Sequence, residues 1–118
     1  MNFKFFSLSE FDCPSLPDSG INMDSQFLTK LEQAREIAGI PFKITSGYRT
    51  KDHNAEVGGV PNSSHLIGVA ADIAVSSGND RYIILNALIK AGFKRIGVAK
   101  TFIHCDTDET KSNSVWTY

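Results

Sequence analysis

The sequence predicts an α+β fold in which a small, mainly antiparallel sheet packs with two main helices. Two segments have apolar residues at helical spacing, and short apolar runs lie around them without the regular strand–helix alternation of a parallel sheet. The last two runs are close enough in sequence to pair antiparallel. The chain has 118 residues, of which 42% are hydrophobic. This size suits one compact domain, which we predict over residues 1–118.

The first half of the chain is predicted to contain an irregular lead-in and one long helix. Prolines, glycine and short polar residues are frequent in residues 7–23, which we expect to cover part of the core. Asp24 can cap the helix that follows, Gly39 ends it, and Pro41 prevents its continuation. Its apolar positions are Phe27, Leu28, Leu31, Ala34 and Ala38.

The remaining elements are predicted from alternation and apolar runs. Strands are expected at residues 42–45, 70–75, 93–99 and 102–105, with a tight connection at residues 100–101. A second helix is expected over about residues 80–91, with Gly92 as its stop. Residues 50–68 are predicted to be mostly loop, with one helical turn around residues 53–57.

Composition and charge exclude several classes of function. Twelve Lys and Arg residues against 13 Asp and Glu residues leave a net charge of −1, which provides no broad positive surface for nucleic acid. No stretch approaches the ~20 apolar residues that span a bilayer, and the first residues lack the sustained apolar region of a secretory signal. We therefore expect no nucleic-acid partner, no membrane insertion and synthesis in the cytoplasm. We separately expect a monomer.

The two cysteines give no sign of a metal or redox motif. Cys13 and Cys105 lie far apart, and neither belongs to a C-x-x-C pattern. A disulfide between them is one interpretation, but two ordinary thiols in a reducing compartment are the preferred one.

Two histidines and one aspartate are candidate metal ligands. His65 lies in a polar loop flanked by glycine, and His104 lies in a short apolar run followed by acidic residues. Asp72 interrupts another apolar run, where a carboxylate is costly unless it is paired or bound to a cation. Two imidazoles and one carboxylate hold catalytic zinc with a fourth position open for water. From these residues alone, a zinc site and a set of satisfied buried polar side chains both remain open.

Longer motifs resemble the zinc D-Ala-D-Ala carboxypeptidase family of peptidoglycan peptidases. They are Ser46-Gly47-Tyr48-Arg49, His53-Asn54, Val57-Gly58-Gly59, residues 64–73, residues 102–106 and Val115-Trp116. The resemblance extends from about residue 11 to residue 116. It implies the fold shared with hedgehog domains, a zinc cofactor, and peptidoglycan stem peptides as the binding partner. This family includes cell-wall carboxypeptidases, dipeptidases and phage endolysins.

The resemblance also implies roles for individual residues. The zinc ligands would be His65, Asp72 and His104. Arg49 would contact the substrate and stabilise the oxyanion, a role that suits a permanently charged guanidinium beside zinc. The residues that would line the substrate pocket are Ser46, Tyr48 and Ser64.

One position departs from the family pattern. Thr101 stands where many members have the Asp or Glu that acts as general base, and threonine cannot accept a proton at neutral pH. Asp106 follows His104 by two residues, so both side chains should project from the same face of a strand. We interpret Asp106 as the base or as a partner that orients a ligand, and a solvated carboxylate is the alternative. Glu56 is a further candidate carboxylate that the sequence does not place near the metal.

Four other residues near these motifs are not predicted to bind the metal. His53 is interpreted as structural or as part of the groove rim, and Cys105 is predicted to face away from the metal. Trp116 and Tyr118 are predicted to be core aromatics in preference to a stacking surface.

The functional prediction is a zinc-dependent peptidoglycan peptidase, either a D-Ala-D-Ala carboxypeptidase or an endolysin-type endopeptidase. We expect it to reach the cell wall through phage- or holin-type release. The alternative is a non-catalytic module on the same zinc fold that binds peptidoglycan or a protein, which Thr101 favours. A soluble dipeptidase that acts on free D-Ala-D-Ala is a third interpretation.

Overall fold

The computed structural model describes residues 3–118 and confirms the α+β fold, with a five-stranded, mostly antiparallel sheet. Residues 1 and 2 lie outside the described residues. The predicted domain and the expected absence of a secretory signal both include these two positions. The helices are α1 (Ser25–Ala38), α2 (Lys51–Glu56) and α3 (Gly78–Lys90). The strands are β1 (Ile44–Ser46), β2 (Ala70–Ala74), β3 (Arg95–Val98), β4 (Phe102–Asp106) and β5 (Ser114–Thr117). Over residues 3–118, every helix is too short or too polar to cross a membrane.

Capping residues fix the start of both main helices and the end of α1. The Asp24 carboxylate accepts a hydrogen bond of 2.9 Å from the Phe27 N–H, and Gly39 ends α1 in the left-handed conformation with φ of 70°. The Ser77 hydroxyl caps α3 by accepting from the Asp80 N–H at 3.1 Å. Because the cap is Ser77, α3 begins about two residues earlier than predicted.

The sheet has the strand order β1-β2-β4-β3-β5. Its first three pairings are antiparallel, whereas β5 pairs with β3 in parallel. The sequence interpretation missed β5, because this edge strand is mostly exposed and therefore lacks the apolar alternation that marks a half-buried strand. The register places one residue from each of four strands in a single row across the sheet: Asp72, His104, Gly97 and Trp116.

The hydrophobic core lies between the helices and the sheet face opposite that row. Helices α1 and α3 contact each other, and their core side chains include Phe27, Leu31, Ile84 and Leu88. The sheet contributes residues that alternate with the row, among them Ile73, Ile96, Ile103 and Cys105. The lead-in forms two short 3-10 helices and contributes Phe11, which confirms that it covers part of the core. The sheet face that carries the row therefore holds Asp72 and His104 away from the hydrophobic core.

Both cysteines are buried free thiols. Cys105 belongs to the hydrophobic core and lies on the sheet face opposite His104, as its strand position predicts. Burial raises the pKa of the Cys105 thiol well above its usual value. The structure therefore favours the interpretation of two ordinary thiols.

Candidate metal centre

The three predicted ligands converge on one side of the sheet. Ligand atoms of His65, Asp72 and His104 all lie within 4.8 Å of one another, and all three residues are buried. Asp72 on β2 is directly opposite His104 on β4 in the antiparallel register. The 3-10 helix Ser64–Ile67 supplies His65.

Gly68 allows the chain to turn between that 3-10 helix and β2. Its φ is 74°, in the left-handed region that favours glycine. A β-carbon at this position would lie 2.3 Å from the Asn22 carbonyl oxygen, so the lead-in also requires a residue without a side chain. Both constraints bring His65 and Asp72 to one place although seven positions separate them in the sequence.

The backbone selects the ring nitrogen that His65 offers to a metal. Its Nδ1 lies 2.7 Å from the Gly47 carbonyl oxygen, which can only accept a hydrogen bond. The proton therefore lies on Nδ1, and Nε2 keeps a free lone pair. This Nε2 is 3.4 Å from Asp72 Oδ1.

His104 lies between two carboxylates. Its Nδ1 is 2.9 Å from Asp72 Oδ1, and its Nε2 is 2.7 Å from Asp106 Oδ2. Burial by itself lowers the pKa of His104, but the hydrogen bonds to Asp106 and Asp72 outweigh burial and leave this pKa raised. Burial also opposes ionisation of Asp72, yet its contacts with His104 and His65 hold its pKa well below the usual range. The imidazole of His104 is thus paired with two buried carboxylates.

The donor set fits a zinc ion. Two imidazole nitrogens and one carboxylate oxygen are the ligand types that zinc prefers, and three protein ligands leave a coordination position open. His65 and His104 both direct a nitrogen toward the same oxygen of Asp72, so an ion placed among them would meet all three.

Arg49 lies beside the centre and is held there by neutral partners. Its Nη2 is 3.6 Å from Asp72 Oδ2. Its Nε donates to Ser46 Oγ at 3.1 Å, and its Nη1 donates to Asn54 Oδ1 at 3.1 Å. Asn54, whose role the sequence interpretation missed, is buried and also donates to the Val60 carbonyl oxygen at 2.8 Å. Ser46 therefore contacts the arginine that faces the centre.

The other two residues predicted for the substrate pocket occupy different environments. Tyr48 is partly buried and packs against the hydrophobic core. Ser64 is buried in the groove wall, where its hydroxyl donates to Asp108 Oδ2 at 2.7 Å and accepts from Lys111 Nζ at 3.0 Å. The Ser64 hydroxyl is therefore already engaged by protein groups.

Both carboxylate oxygens of Asp106 are engaged. Oδ2 faces His104, while Oδ1 accepts from Arg95 Nε at 2.8 Å and from the Asp108 N–H at 3.1 Å. The residue is only 1% exposed. Burial opposes ionisation, but the hydrogen bond to His104 and the other contacts lower the pKa of Asp106, so it stays anionic. Asp106 therefore contacts Nε2 of His104, whereas Asp72 contacts Nδ1 of the same ring.

Thr101, at the usual position of the base, and Glu56, the further candidate carboxylate, both lie outside the ligand cluster and the groove lining. Thr101 is exposed in the turn between β3 and β4. The Glu56 side chain on α2 is 74% exposed and lies 3.9 Å from His53 Nδ1.

A groove of about 380 Å³ opens over the centre. Its lining includes the three ligands and Arg49, together with Phe102, Trp116 and Tyr118. The prediction that Trp116 and Tyr118 are core aromatics is therefore wrong. Glycine at position 97 explains their placement, since a β-carbon there would lie 2.5 Å from Trp116 Nε1 and 2.9 Å from Tyr118 Cε2.

Comparison with known proteins agrees with this geometry. Residues 4–106 match the family model described as Peptidase M15, a range that includes all three residues of the candidate metal centre. None of the curated proteins matches the chain. The family match covers most of the 118 residues and indicates a metallopeptidase type of function. The chain belongs to the Peptidase M15 family.

Proposed function

We propose that this protein is a zinc-dependent peptidase that hydrolyses a bond in the stem peptides of bacterial peptidoglycan, as a D-Ala-D-Ala carboxypeptidase or an endolysin-type endopeptidase. One observation carries the proposal: the buried cluster of His65, Asp72 and His104, in a chain of the Peptidase M15 family. These three residues would hold the ion. Zinc in such a site supplies Lewis-acid activation of a carbonyl group and of water.

The protein supplies a fixed positive charge next to the reacting bond. Arg49 lies in the groove beside Asp72, and its hydrogen bonds to Ser46 and Asn54 fix the guanidinium before substrate arrives. A preorganised cation stabilises the negative charge that develops on the carbonyl oxygen during hydrolysis. Arg49 is therefore assigned to binding the substrate carbonyl or carboxylate and to stabilising the oxyanion.

Asp106 is assigned to orienting His104, not to removing a proton from water. Asp106 lines the groove, but both of its oxygens already have partners: Oδ2 faces His104, and Oδ1 accepts from Arg95 and from the Asp108 N–H. A carboxylate behind a metal-binding histidine fixes the ring orientation and makes the ligand more basic.

The experiment measures new amino groups released from purified peptidoglycan by the zinc-loaded protein. His65→Ala and Asp72→Ala should each abolish release, because each removes a ligand. His53→Ala is the matched control, since His53 lies on α2 outside the cluster, and this variant should retain activity. Absence of release by the zinc-loaded wild type on every wall type tested would contradict the proposal.

A non-catalytic zinc module that binds peptidoglycan or a protein is the second candidate. One observation favours it: among the described residues that line the groove, the only carboxylates are Asp72 and Asp106, and both are paired. This candidate predicts zinc binding and retention on sacculi without release of amino groups. A comparison of the hydrolysis of intact sacculi with that of free D-Ala-D-Ala distinguishes a wall peptidase from a soluble dipeptidase. Phage- or holin-type release and a monomeric state stay predictions from the sequence.

A further inference from the structure

Arg95 lines the groove beside the candidate metal centre and contacts two of the side chains around His104, Asp106 and Trp116. It was not among the residues that the sequence analysis singled out. It is directly opposite Asp106 in the antiparallel register of β3 and β4, and its side chain is 15% exposed. A partly buried arginine opposite a buried carboxylate forms a cross-strand pair whose geometry the sheet fixes.

Two routes connect this guanidinium to the same imidazole. The first is a hydrogen-bond chain in which Arg95 Nε donates to Asp106 Oδ1 at 2.8 Å, and Asp106 Oδ2 lies 2.7 Å from His104 Nε2. The second is a stack, because the guanidinium lies 4.9 Å from the centroid of the Trp116 ring, which is 5.4 Å from that of His104. Arg95 Nη1 also donates to the Ser112 carbonyl oxygen, which connects it to the segment that leads into β5.

This arrangement determines which nitrogen of His104 faces the ligand cluster. With Asp106 Oδ1 held by Arg95, Oδ2 accepts a hydrogen bond from His104 Nε2–H, and Nδ1 points toward Asp72 at 2.9 Å. His65 has the opposite orientation, since its Nδ1 faces the Gly47 carbonyl oxygen and its Nε2 faces Asp72. Without the guanidinium, Asp106 Oδ1 would lose the shorter of its two hydrogen bonds and keep the one from the Asp108 N–H.

We propose that Arg95 is a positioning residue that, through Asp106 and Trp116, fixes His104 so that Nδ1 is its metal ligand. The inference rests on the proposed function, because it assumes that His65, Asp72 and His104 hold zinc. It adds a residue outside the ligand set to the groups that orient His104. Replacement of residues behind a metal ligand typically weakens metal binding by about 10- to 100-fold.

The test measures zinc affinity by competition with a chromophoric chelator and records the ¹⁵N NMR signals of the His104 ring in zinc-loaded protein. Arg95→Met should bind zinc at least about tenfold more weakly than wild type. Arg95→Lys keeps the charge but cannot combine the stack with the Nε contact, and should give an intermediate loss. Arg81→Met is the matched control, since Arg81 also donates to a backbone carbonyl oxygen but lies outside the groove lining, and its affinity should equal that of wild type.

The NMR signals separate positioning from general loss of structure. Zinc-loaded wild type should show a proton on Nε2 of His104 and the metal on Nδ1, and Asp106→Asn should weaken zinc binding at least as much as Arg95→Met. Zinc affinity within twofold of wild type in both Arg95 variants, or the metal on Nε2 of His104, would overturn the inference. If His65→Ala still loses zinc in that case, only the positioning role fails. A wild-type protein that binds no zinc contradicts the proposed function as well.

Discussion

At the scale of single residues, the site depends on carboxylates that stay ionised although they are buried. Asp72, Asp106 and Asp108 are each less than 10% exposed, and each accepts hydrogen bonds that lower its pKa against the effect of burial. Paired in this way, they stabilise the fold and hold the groove residues in place. Asp108, for example, is bound by the Ser64 hydroxyl, the Thr110 hydroxyl and the Thr110 N–H.

Asp108 gives a pH-dependent prediction. Burial opposes its ionisation, but the hydrogen bonds from Thr110 and Ser64 lower its pKa from 3.8 to about 2. A carboxyl with a lowered folded pKa stabilises the protein above the unfolded value, and this contribution is lost as pH falls through the folded value. Wild type should therefore be more stable than Asp108→Asn at neutral pH, and the difference in free energy of unfolding should shrink between about pH 4 and pH 2.

Urea denaturation of metal-free protein at several pH values measures that difference. The matched control is Asp52→Asn, at an exposed position on α2. This control should follow the wild-type profile. A difference between wild type and Asp108→Asn that stays constant over the same pH range would contradict the assigned role of Asp108.

The sequence predicted the three residues of the candidate metal centre, whereas it left most of their surroundings unspecified. Asp72 in an apolar run and His104 in another point to a site because buried polar groups need partners. The shared strand face of His104 and Asp106 follows from the two-residue period of a strand. The contact between Arg95 and Asp106 depends on the pairing of β3 with β4, a register that no local pattern specifies.

At the scale of elements, the sheet register assembles the site, and β5 adds Trp116, which the sequence interpretation placed in the core, to the groove wall. Strand β5 is exposed and pairs in parallel with β3, so its position depends on contacts distant in sequence. Helices α1 and α3 were easier to predict, because caps and apolar spacing are local signals. Gly97 on β3 was the available clue to the groove wall, since a glycine inside a strand often marks close approach of another group.

Gly97→Ala tests how β3 and β5 fit together. The added β-carbon would lie 2.5 Å from Trp116 Nε1, so the indole must move. Overpacking of this kind costs about 1–3 kcal/mol of stability. Because Trp116 is the only tryptophan in the chain, its fluorescence should report the displacement directly.

Gly78→Ala is the matched control for that substitution. Gly78 begins α3, and the nearest atom to its added β-carbon is Arg81 Nη1 at 4.0 Å. Because alanine favours a helix and meets no close contact there, this variant should be at least as stable as wild type, with unchanged fluorescence. Unchanged fluorescence and stability in Gly97→Ala would show that Trp116 does not pack over β3 as described.

At the scale of the whole molecule, the fold separates stability from chemistry by using the two faces of one sheet. One face packs on α1 and α3 and carries the core, while the other carries the row that includes Asp72, His104 and Trp116. The ligands come from β2, β4 and the 3-10 helix Ser64–Ile67, so a bound ion would connect three separate elements. A ligand that binds only the folded state, at a free concentration 100 times its dissociation constant, raises the free energy of unfolding by about 2.7 kcal/mol.

We propose that one zinc ion, bound by His65, Asp72 and His104, makes this protein a peptidase. The most direct measurement titrates metal-stripped protein with zinc and follows the release of amino groups from purified peptidoglycan. We expect no activity without metal and a rise that saturates at one equivalent of zinc, with no rise for His104→Ala. Full activity in the metal-stripped protein, or no activity at saturating zinc, would contradict the proposal of a zinc-dependent peptidase.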